Sequence, residues 1–178
     1  MAKDYRWALM KSGEGETING TTIKIRSDQL GGDFSVMEAD IAPHQLLTPH
    51  THLHEDQGVY VIEGELEFEV GGEGGTRFTA RAGDYVVKPR GVSHCFWNTT
   101  DQTARYIELS GRANFEAFVY ETKESTAKAS LLAKQKHGVT FHSERIPKLL
   151  KEHGLTSVAG TEMPWEGAGP PPWHKAKG

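Results

Sequence analysis

The segment from Thr48 to Phe68 constrains the fold of this chain more than any other stretch. It begins with a histidine at every second position, His50, His52 and His54, and continues as apolar residues that alternate with glutamates. Residues two apart on a β-strand share a face, so an extended chain places the imidazoles of His50 and His52 side by side. Two adjacent imidazoles can supply part of the ligand set of a metal ion. The alternative is a polar loop that is rich in histidine by chance.

A second segment, from Gly83 to Asn98, supplies a third imidazole. It reads as a glycine turn, a short apolar strand, a rigid turn at Pro89–Gly91, and a further strand that carries His94. Proline fixes φ in such a turn, and glycine allows the tight backbone that follows it. The pattern therefore predicts a hairpin that presents His94 on a strand face.

Together the two segments resemble the paired motifs of the cupin superfamily. The first motif is matched by His50, His52 and Gly64, with Gln57 at the position where the family carries glutamate. The second motif is matched at Gly83, Pro89, Gly91, His94 and Asn98. The resemblance implies an all-β fold, the cupin double-stranded β-helix or jelly-roll barrel, with a C-terminal helical extension.

Length and periodicity agree with a single barrel. A chain of 178 residues is enough for one domain with a substantial core. Short alternating strands with glycine-rich connections predict a double-sheet or barrel architecture up to about residue 110. We therefore expect residues 1–110 to form the barrel with an N-terminal arm. Residues 111–178 then form a helical extension and a flexible tail of the same domain unit.

The C-terminal part has helical periodicity. Phe115 and Phe118 are spaced as on a helix, and a second helical stretch containing Leu131–Leu132 ends at Gly138. Ser143 is expected to cap a third helix, Glu144 to His153. A β-barrel followed by such a tail resembles the quercetinase-like group of cupins. The last stretch, with Trp165 and Trp173, is either an extended arm or a lid over the barrel mouth.

Composition excludes several classes of partner. The formal net charge is −4 and no basic run precedes the tail, so nucleic acid is not an expected partner. No apolar run is long enough for a membrane span or a signal peptide. The single cysteine, Cys95, is consistent with a reducing cytoplasm and has the parity opposite to His94. Because cupin barrels commonly pair through edge strands, we expect a homodimer.

The resemblance assigns His50, His52 and His94 as ligands of one divalent metal ion. Imidazole nitrogen binds Fe, Mn, Ni, Cu and Zn, so these residues do not decide which metal it is. The resemblance implies Gln57 as a fourth metal ligand, and we also count it among the catalytic candidates. It is the departure from the family pattern, because an amide is neutral and accepts no proton near neutral pH. We expect a metal held less tightly, with more uncompensated positive charge and hence a preference for an anionic small-molecule substrate.

The resemblance implies that the glutamate of the quercetinase-like flavonol dioxygenases takes a proton from the substrate, so a base must come from another residue here. Two nearby residues are candidates for a catalytic role: Glu55, which reaches the metal only if the strand is interrupted before Asp56, and His54, which shares the parity of His50 and His52. Alternatively, Glu55 is a solvated carboxylate at the rim and His54 is a histidine that orients a neighbour.

Three functions fit this pattern. The resemblance favours a metal-dependent dioxygenase of the quercetinase type that acts on an enol or phenol. A second possibility is a metal-assisted isomerase, cyclase or lyase, which the neutral Gln57 slightly favours. A third is a cupin that binds a small molecule without catalysis, because one fold hosts many activities.

Overall fold

The computed structural model describes residues 5–112, 115–123, 133 and 135–160. Its strands are β1 (Glu16–Ile18), β2 (Thr21–Ile25), β3 (Phe34–Ile41), β4 (Gln45–His52), β5 (Asp56–Glu63), β6 (Glu65–Val70), β7 (Thr76–Arg81), β8 (Tyr85–Lys88), β9 (His94–Trp97), β10 (Ala104–Gly111), β11 (Val139–Phe141) and β12 (Ser157–Val158). The α-helices whose bounds lie within the described residues are α1 (Phe115–Glu121) and α2 (Ile146–His153), and residues 133 and 135–137 are also helical. Short 3-10 turns lie at Arg6–Ala8, Ser27–Leu30 and Ser143–Arg145.

The strands form two sheets that face each other. The first sheet has the order β1-β2-β3-β10-β5-β8, and the second has the order β11-β4-β9-β6-β7. β12 adds in parallel to β4. Chain neighbours such as β4 and β5 lie in different sheets, as expected for a double-stranded β-helix. The predicted all-β fold with a short helical part is confirmed.

The core fills one end of the space between the sheets. Alternate residues of the facing strands bury their apolar side chains there and pack as one cluster: Ile41, Val59, Val61, Leu66, Phe68, Ala80, Val86, Phe96, Ala104 and Tyr106. The Phe68 and Phe96 rings stack with centroids 4.8 Å apart. This packed end fixes the distance between the sheets, on which the geometry of the other end depends.

Helix α2 covers the outer face of the second sheet. Its Leu149 and Leu150 pack against Cys95 and Trp97 of β9. Cys95 therefore points away from the barrel interior, as its parity predicted, and burial raises the pKa of its thiol to about 12.

The start of α2 differs from the prediction. The α-helix begins at Ile146 instead of Glu144, and Ser143 makes no capping bond because it opens the 3-10 turn that precedes the helix. The predicted stop is correct, since Gly154 follows the helix in the left-handed conformation with φ of 66°.

The C-terminal extension also contributes strands, which the sequence pattern did not reveal. β11 pairs antiparallel with the histidine-bearing end of β4, and β12 pairs with its beginning. Residues beyond 111 therefore complete the second sheet in addition to forming helices. Leu131–Leu132, Trp165 and Trp173 lie outside the described residues. Within the described part of the chain, no helix combines the length and apolar character needed to cross a bilayer.

Candidate metal centre

A bulge in β4 sets the direction of its histidines. Leu47 pairs with Phe96 of β9 and His50 pairs with His94, so three steps along β4 match two along β9. The extra residue lets Leu47 and His50 both face the barrel interior although they are an odd number apart. Pro49 lies within this irregular stretch, where its missing N–H removes no regular ladder bond.

Three imidazoles converge inside the barrel. His50 and His94 are directly opposite on paired strands, and His52 lies two residues beyond His50 on the same face. One ring nitrogen from each of the three lies within 4.8 Å of the other two. All three side chains are buried. The structure thus brings together the three histidines that were predicted as metal ligands.

Hydrogen bonds to backbone carbonyl groups fix the orientation of the His50 and His94 rings. Nδ1 of His50 donates to the carbonyl oxygen of Thr48 at 2.7 Å, and Nδ1 of His94 donates to that of Val92 at 3.0 Å. A carbonyl oxygen only accepts, so the proton of each neutral ring is on Nδ1 and the lone pair is on Nε2. Both rings therefore present their metal-binding nitrogen to the interior.

The free nitrogens have the chemistry of a cation site. Nε2 of His50 lies 3.1 Å from Nε2 of His94, and two lone pairs at that distance repel unless a positive charge lies between them. Nε2 of His52 is buried with no hydrogen-bond partner among the described residues. Nitrogens bound to one zinc-like ion at about 2.0–2.1 Å lie roughly 3 Å apart. The residues present therefore fit a divalent metal ion.

Gln57 reaches the interior by a change of sheet. β4 ends at His52 in the second sheet, the chain crosses over residues 53–55, and β5 begins at Asp56 in the first sheet. This turn, not a bulge within one strand, resolves the odd spacing between His52 and Gln57. Both amide atoms of Gln57 are buried and unpartnered among the described residues. An amide oxygen in this condition is available as a further ligand.

Glu55 has a different position from either alternative given above. Its side chain is 2% exposed, and its Oε2 accepts a hydrogen bond from Nδ1 of His52 at 3.2 Å. It is neither a rim carboxylate nor one of the three residues whose ligand atoms converge. A carboxylate on Nδ1 makes the opposite nitrogen a better donor to a metal. The Glu55 carboxyl group thus lies behind the His52 ring, on the Nδ1 side.

His54 is not brought to the centre. Its side chain is exposed, and its ring lies against Gly138, where an added Cβ would come within 2.5 Å of its Cδ2. Its parity matched that of His50 and His52, but the chain leaves β4 after His52 and the alternation no longer applies. Its catalytic role stays a prediction that this geometry does not favour.

His50 and His94 are held in the neutral form that binds metals. Burial lowers the pKa of His50 well below its usual value, and the neighbouring His94 and His52 lower it further. Burial, followed by the charges of Lys88 and His52, lowers the pKa of His94 to about 2. Ligand nitrogens of this kind need no deprotonation near neutral pH.

A cavity of about 430 Å³ opens beside the imidazoles of His50 and His52. Its walls are mainly apolar, with Phe115, Phe118 and Phe141 prominent among the described residues that line it. The Phe115 ring meets the His52 ring edge-on at 4.9 Å. A cavity of this size and lining suits a mostly apolar small molecule.

Sequence reasoning missed two charged residues beside this cavity. Glu108 of β10 lines it, and the buried Lys88 of β8 donates to Glu108 Oε2 at 2.8 Å. The available signal was strand parity, because Glu108 and Lys88 occupy inward positions of their strands next to apolar Tyr106 and Val86. A charge at an inward position is uncommon without a partner or a function.

Fold and site define a class of protein: a double-stranded β-helix with a buried group of three histidines suited to a metal ion. The Cupin_2 family, described as a cupin domain, matches residues 37–110. This range contains all three histidines and Gln57, so the candidate metal centre lies within the matched residues.

Two curated proteins are similar to the chain. It is 29% identical over 120 residues to germin-like protein subfamily 2 member 2 of Arabidopsis thaliana, which covers 64% of the chain and 55% of that protein. It is 33% identical over 69 residues to polyketide synthase CurC of Streptomyces cyaneus, which covers 39% of the chain and 43% of that protein. The chain thus spans about half the length of these relatives.

Among solved structures, an uncharacterized conserved protein with a double-stranded β-helix domain from Klebsiella pneumoniae is similar at a TM-score of 0.47 and 19% identity. The match covers 64% of this chain and 90% of that one.

Proposed function

We propose that the protein is a metal-dependent enzyme of the quercetinase-like type, an oxygenase that acts on an enol or phenol group of a largely apolar small molecule. The observation that supports this most is the convergence of three buried imidazoles, two of which line an aromatic cavity. A divalent metal bound there supplies Lewis-acid stabilisation of a substrate oxygen and, if it is redox-active, a path for electrons.

The chain's own residues have distinct parts in this proposal. His50, His52 and His94 hold the ion, and Glu55 orients His52 through its Nδ1–H. Gln57, whose buried amide has no partner among the described residues, is the candidate for a further, neutral ligand, which leaves the base function of the family's glutamate unassigned. The phenylalanines of the cavity exclude water from the substrate and position its ring.

A second candidate is a metal-assisted cyclase or lyase that uses no oxygen. One specific observation favours it: the curated relative from Streptomyces cyaneus is named a polyketide synthase. The neutral Gln57 is compatible with it as well, because polarising a carbonyl requires no anionic ligand.

Metal analysis followed by turnover assays tests the proposal. The purified chain is loaded with Fe(II), Mn(II), Ni(II), Cu(II) or Zn(II), and its metal content is compared with that of His94→Ala. We expect one ion per chain in the wild type and none in the variant. Oxygen uptake with a panel of flavonols and diketones then supports the oxygenase, whereas turnover under nitrogen supports the cyclase or lyase.

Gln57→Glu tests the amide as a ligand. A carboxylate at this position restores the anionic ligand of the family, so we expect tighter metal binding in a titration with a competing chelator. Unchanged metal affinity and unchanged activity would mean that residue 57 does not contact the ion. A wild-type protein that takes up no divalent ion under any loading condition would overturn the metal-dependent function itself.

A further inference from the structure

The cavity has one charged residue in an otherwise neutral lining. Among the described residues that line it, Glu108 is the only carboxylate, and none is a lysine or an arginine. The other polar groups there are the imidazoles of His50 and His52, the phenol of Tyr106, and small uncharged groups such as those of Asn19, Thr21 and Thr48. A lone carboxylate in an apolar pocket fixes the orientation of a ligand through a directed hydrogen bond.

Glu108 is built into the barrel wall. It is 7% exposed, and its Oε2 accepts a hydrogen bond from the fully buried Lys88 on β8. The Lys88 ammonium also lies 5.6 Å from the centre of the Phe96 ring. An ammonium group at hydrogen-bond distance stabilises an ionised carboxylate in this low-dielectric surrounding. Glu108 is therefore held as a hydrogen-bond acceptor on β10.

The geometry points to Glu108 as a specificity-determining residue: its carboxylate accepts a hydrogen bond from a hydroxyl group of an uncharged, aromatic ligand. This inference rests on the proposed function, because it places the hydroxyl-bearing ligand in the cavity beside His50 and His52. It names the ligand class more narrowly than an enol or phenol in general. A small dicarboxylate is disfavoured, because beyond the metal the described lining would offer its charges the Glu108 carboxylate and apolar walls and no lysine or arginine.

The positions of Glu55 and Glu108 also argue against the anionic substrate that the sequence led us to expect. That expectation assumed a metal with uncompensated charge, since Gln57 is neutral. The folded site instead holds the Glu55 carboxylate 3.2 Å from His52, and Glu108 lines the cavity itself. Two carboxylates near the centre reduce the electrostatic gain from a negatively charged ligand.

A matched pair of probes tests the hydrogen bond without turnover. The dissociation constants of 3-hydroxyflavone and its 3-methyl ether are measured by equilibrium dialysis, with the metal-free and the Ni(II)-loaded full-length protein. The methyl ether keeps the rings and removes the donor. We expect the wild type to prefer the hydroxyl compound about tenfold or more in the metal-free form, where metal coordination contributes nothing.

Variants must not leave Lys88 buried without a partner, because an unpaired buried charge can prevent folding. Lys88→Met combined with Glu108→Leu removes both charges and the acceptor. Lys88→Met combined with Glu108→Gln removes the charges but keeps an acceptor. We expect the preference to fall to about one in the first double variant and to an intermediate value in the second.

Glu69→Gln is the matched control. Glu69 lies on β6 of the second sheet as a buried carboxylate that pairs with Arg77 and Arg145. It does not line the cavity. The variant should keep the wild-type preference. Circular dichroism of each variant shows whether it is folded.

Three results would overturn the inference: a wild-type preference near one, an unchanged preference in the Leu-containing double variant, or competition by oxalate as strong as that by the flavone. Failure of the proposed function is recognised separately. In that case the wild type takes up no metal or turns nothing over, while the hydroxyl preference of the metal-free protein and its loss in the double variant are still observed.

Discussion

The two ends of the barrel interior are built on the same strands but have opposite chemistry. β9 carries His94 at one end and Phe96 at the other, and β5 carries Gln57 and then Val61. Phe96 and Val61 are fully buried in a cluster of apolar side chains. At the other end, the amide of Gln57 and Nε2 of His52 are buried with no partner among the described residues.

This difference separates stability from function. Packed apolar side chains stabilise the fold, whereas a buried polar atom without a partner costs free energy. A chain keeps such atoms together where a ligand will satisfy them. We infer that the Phe96 end holds the sheets at a fixed spacing and that the His94 end uses this spacing to bind an ion. The following changes test that division.

Phe68→Ala is expected to have the largest effect on stability. Phe68 is 0% exposed and stacks on Phe96, so the change leaves a cavity in the core. We expect the free energy of unfolding to fall by about 3–5 kcal/mol, measured with urea. The folded fraction should still bind one metal ion per chain. A loss of metal from protein that remains folded would show that the two ends are not independent.

Acid should destabilise the metal-free protein through the imidazole end. His50 and His94 have lowered pKa values in the folded state, whereas an unfolded histidine titrates near about 6.5. The stability that these two neutral histidines contribute is therefore present above about pH 6.5 and is lost as the pH falls. The reason is that the unfolded chain then takes up protons that the folded chain does not. Between pH 7.5 and 5.5 we expect a loss of about 2–3 kcal/mol.

Urea unfolding at several pH values measures this loss. The His54→Ala variant is the control, since His54 is exposed and its removal should leave the pH dependence unchanged. Stability that is flat between pH 7.5 and 5.5 would contradict the assignment of His50 and His94 as buried neutral groups.

Glu55→Gln should weaken metal binding without removing any of the three converging histidines. The neutral amide no longer provides the negative charge behind His52, and loss of such a partner typically costs about 10–100-fold in metal affinity. A competition titration with a chelator measures the change. Glu116→Gln is a useful comparison, because Glu116 is also a buried carboxylate but bonds to Ser27. Equal effects of the two substitutions would argue against a specific role for Glu55.

His54→Ala should have the smallest effect. The exposed imidazole lies outside the group of three histidines, so we expect a change in stability within about 0.5 kcal/mol and an unchanged metal content. A clear loss of bound metal in this variant would indicate that His54 contributes to the metal site.

Much of the fold could be predicted because strand alternation is local. The strands around Val59 and Phe68, and the turn at Asn19–Gly20, follow from patterns within a few residues. β11 could not be predicted in this way, because three residues contain no usable period and its partner is β4, almost ninety positions earlier in the chain. Pairing over such a distance is decided by the packing of the sheets.

The sequence by itself determined that His50 and His52 would share a strand face and that His94 would lie on a strand after a proline–glycine turn, since alternation and such turns are properties of neighbouring residues. The bulge that turns His50 and His52 inward depends on the pairing of β4 with β9. Tertiary structure decided the surroundings of those rings. It turned Glu55 against His52, left His54 outside, and paired Lys88 with Glu108 beside the cavity. The physical reason is that ion pairs and hydrogen bonds between different strands depend on distances in space, which the closure of the two sheets sets.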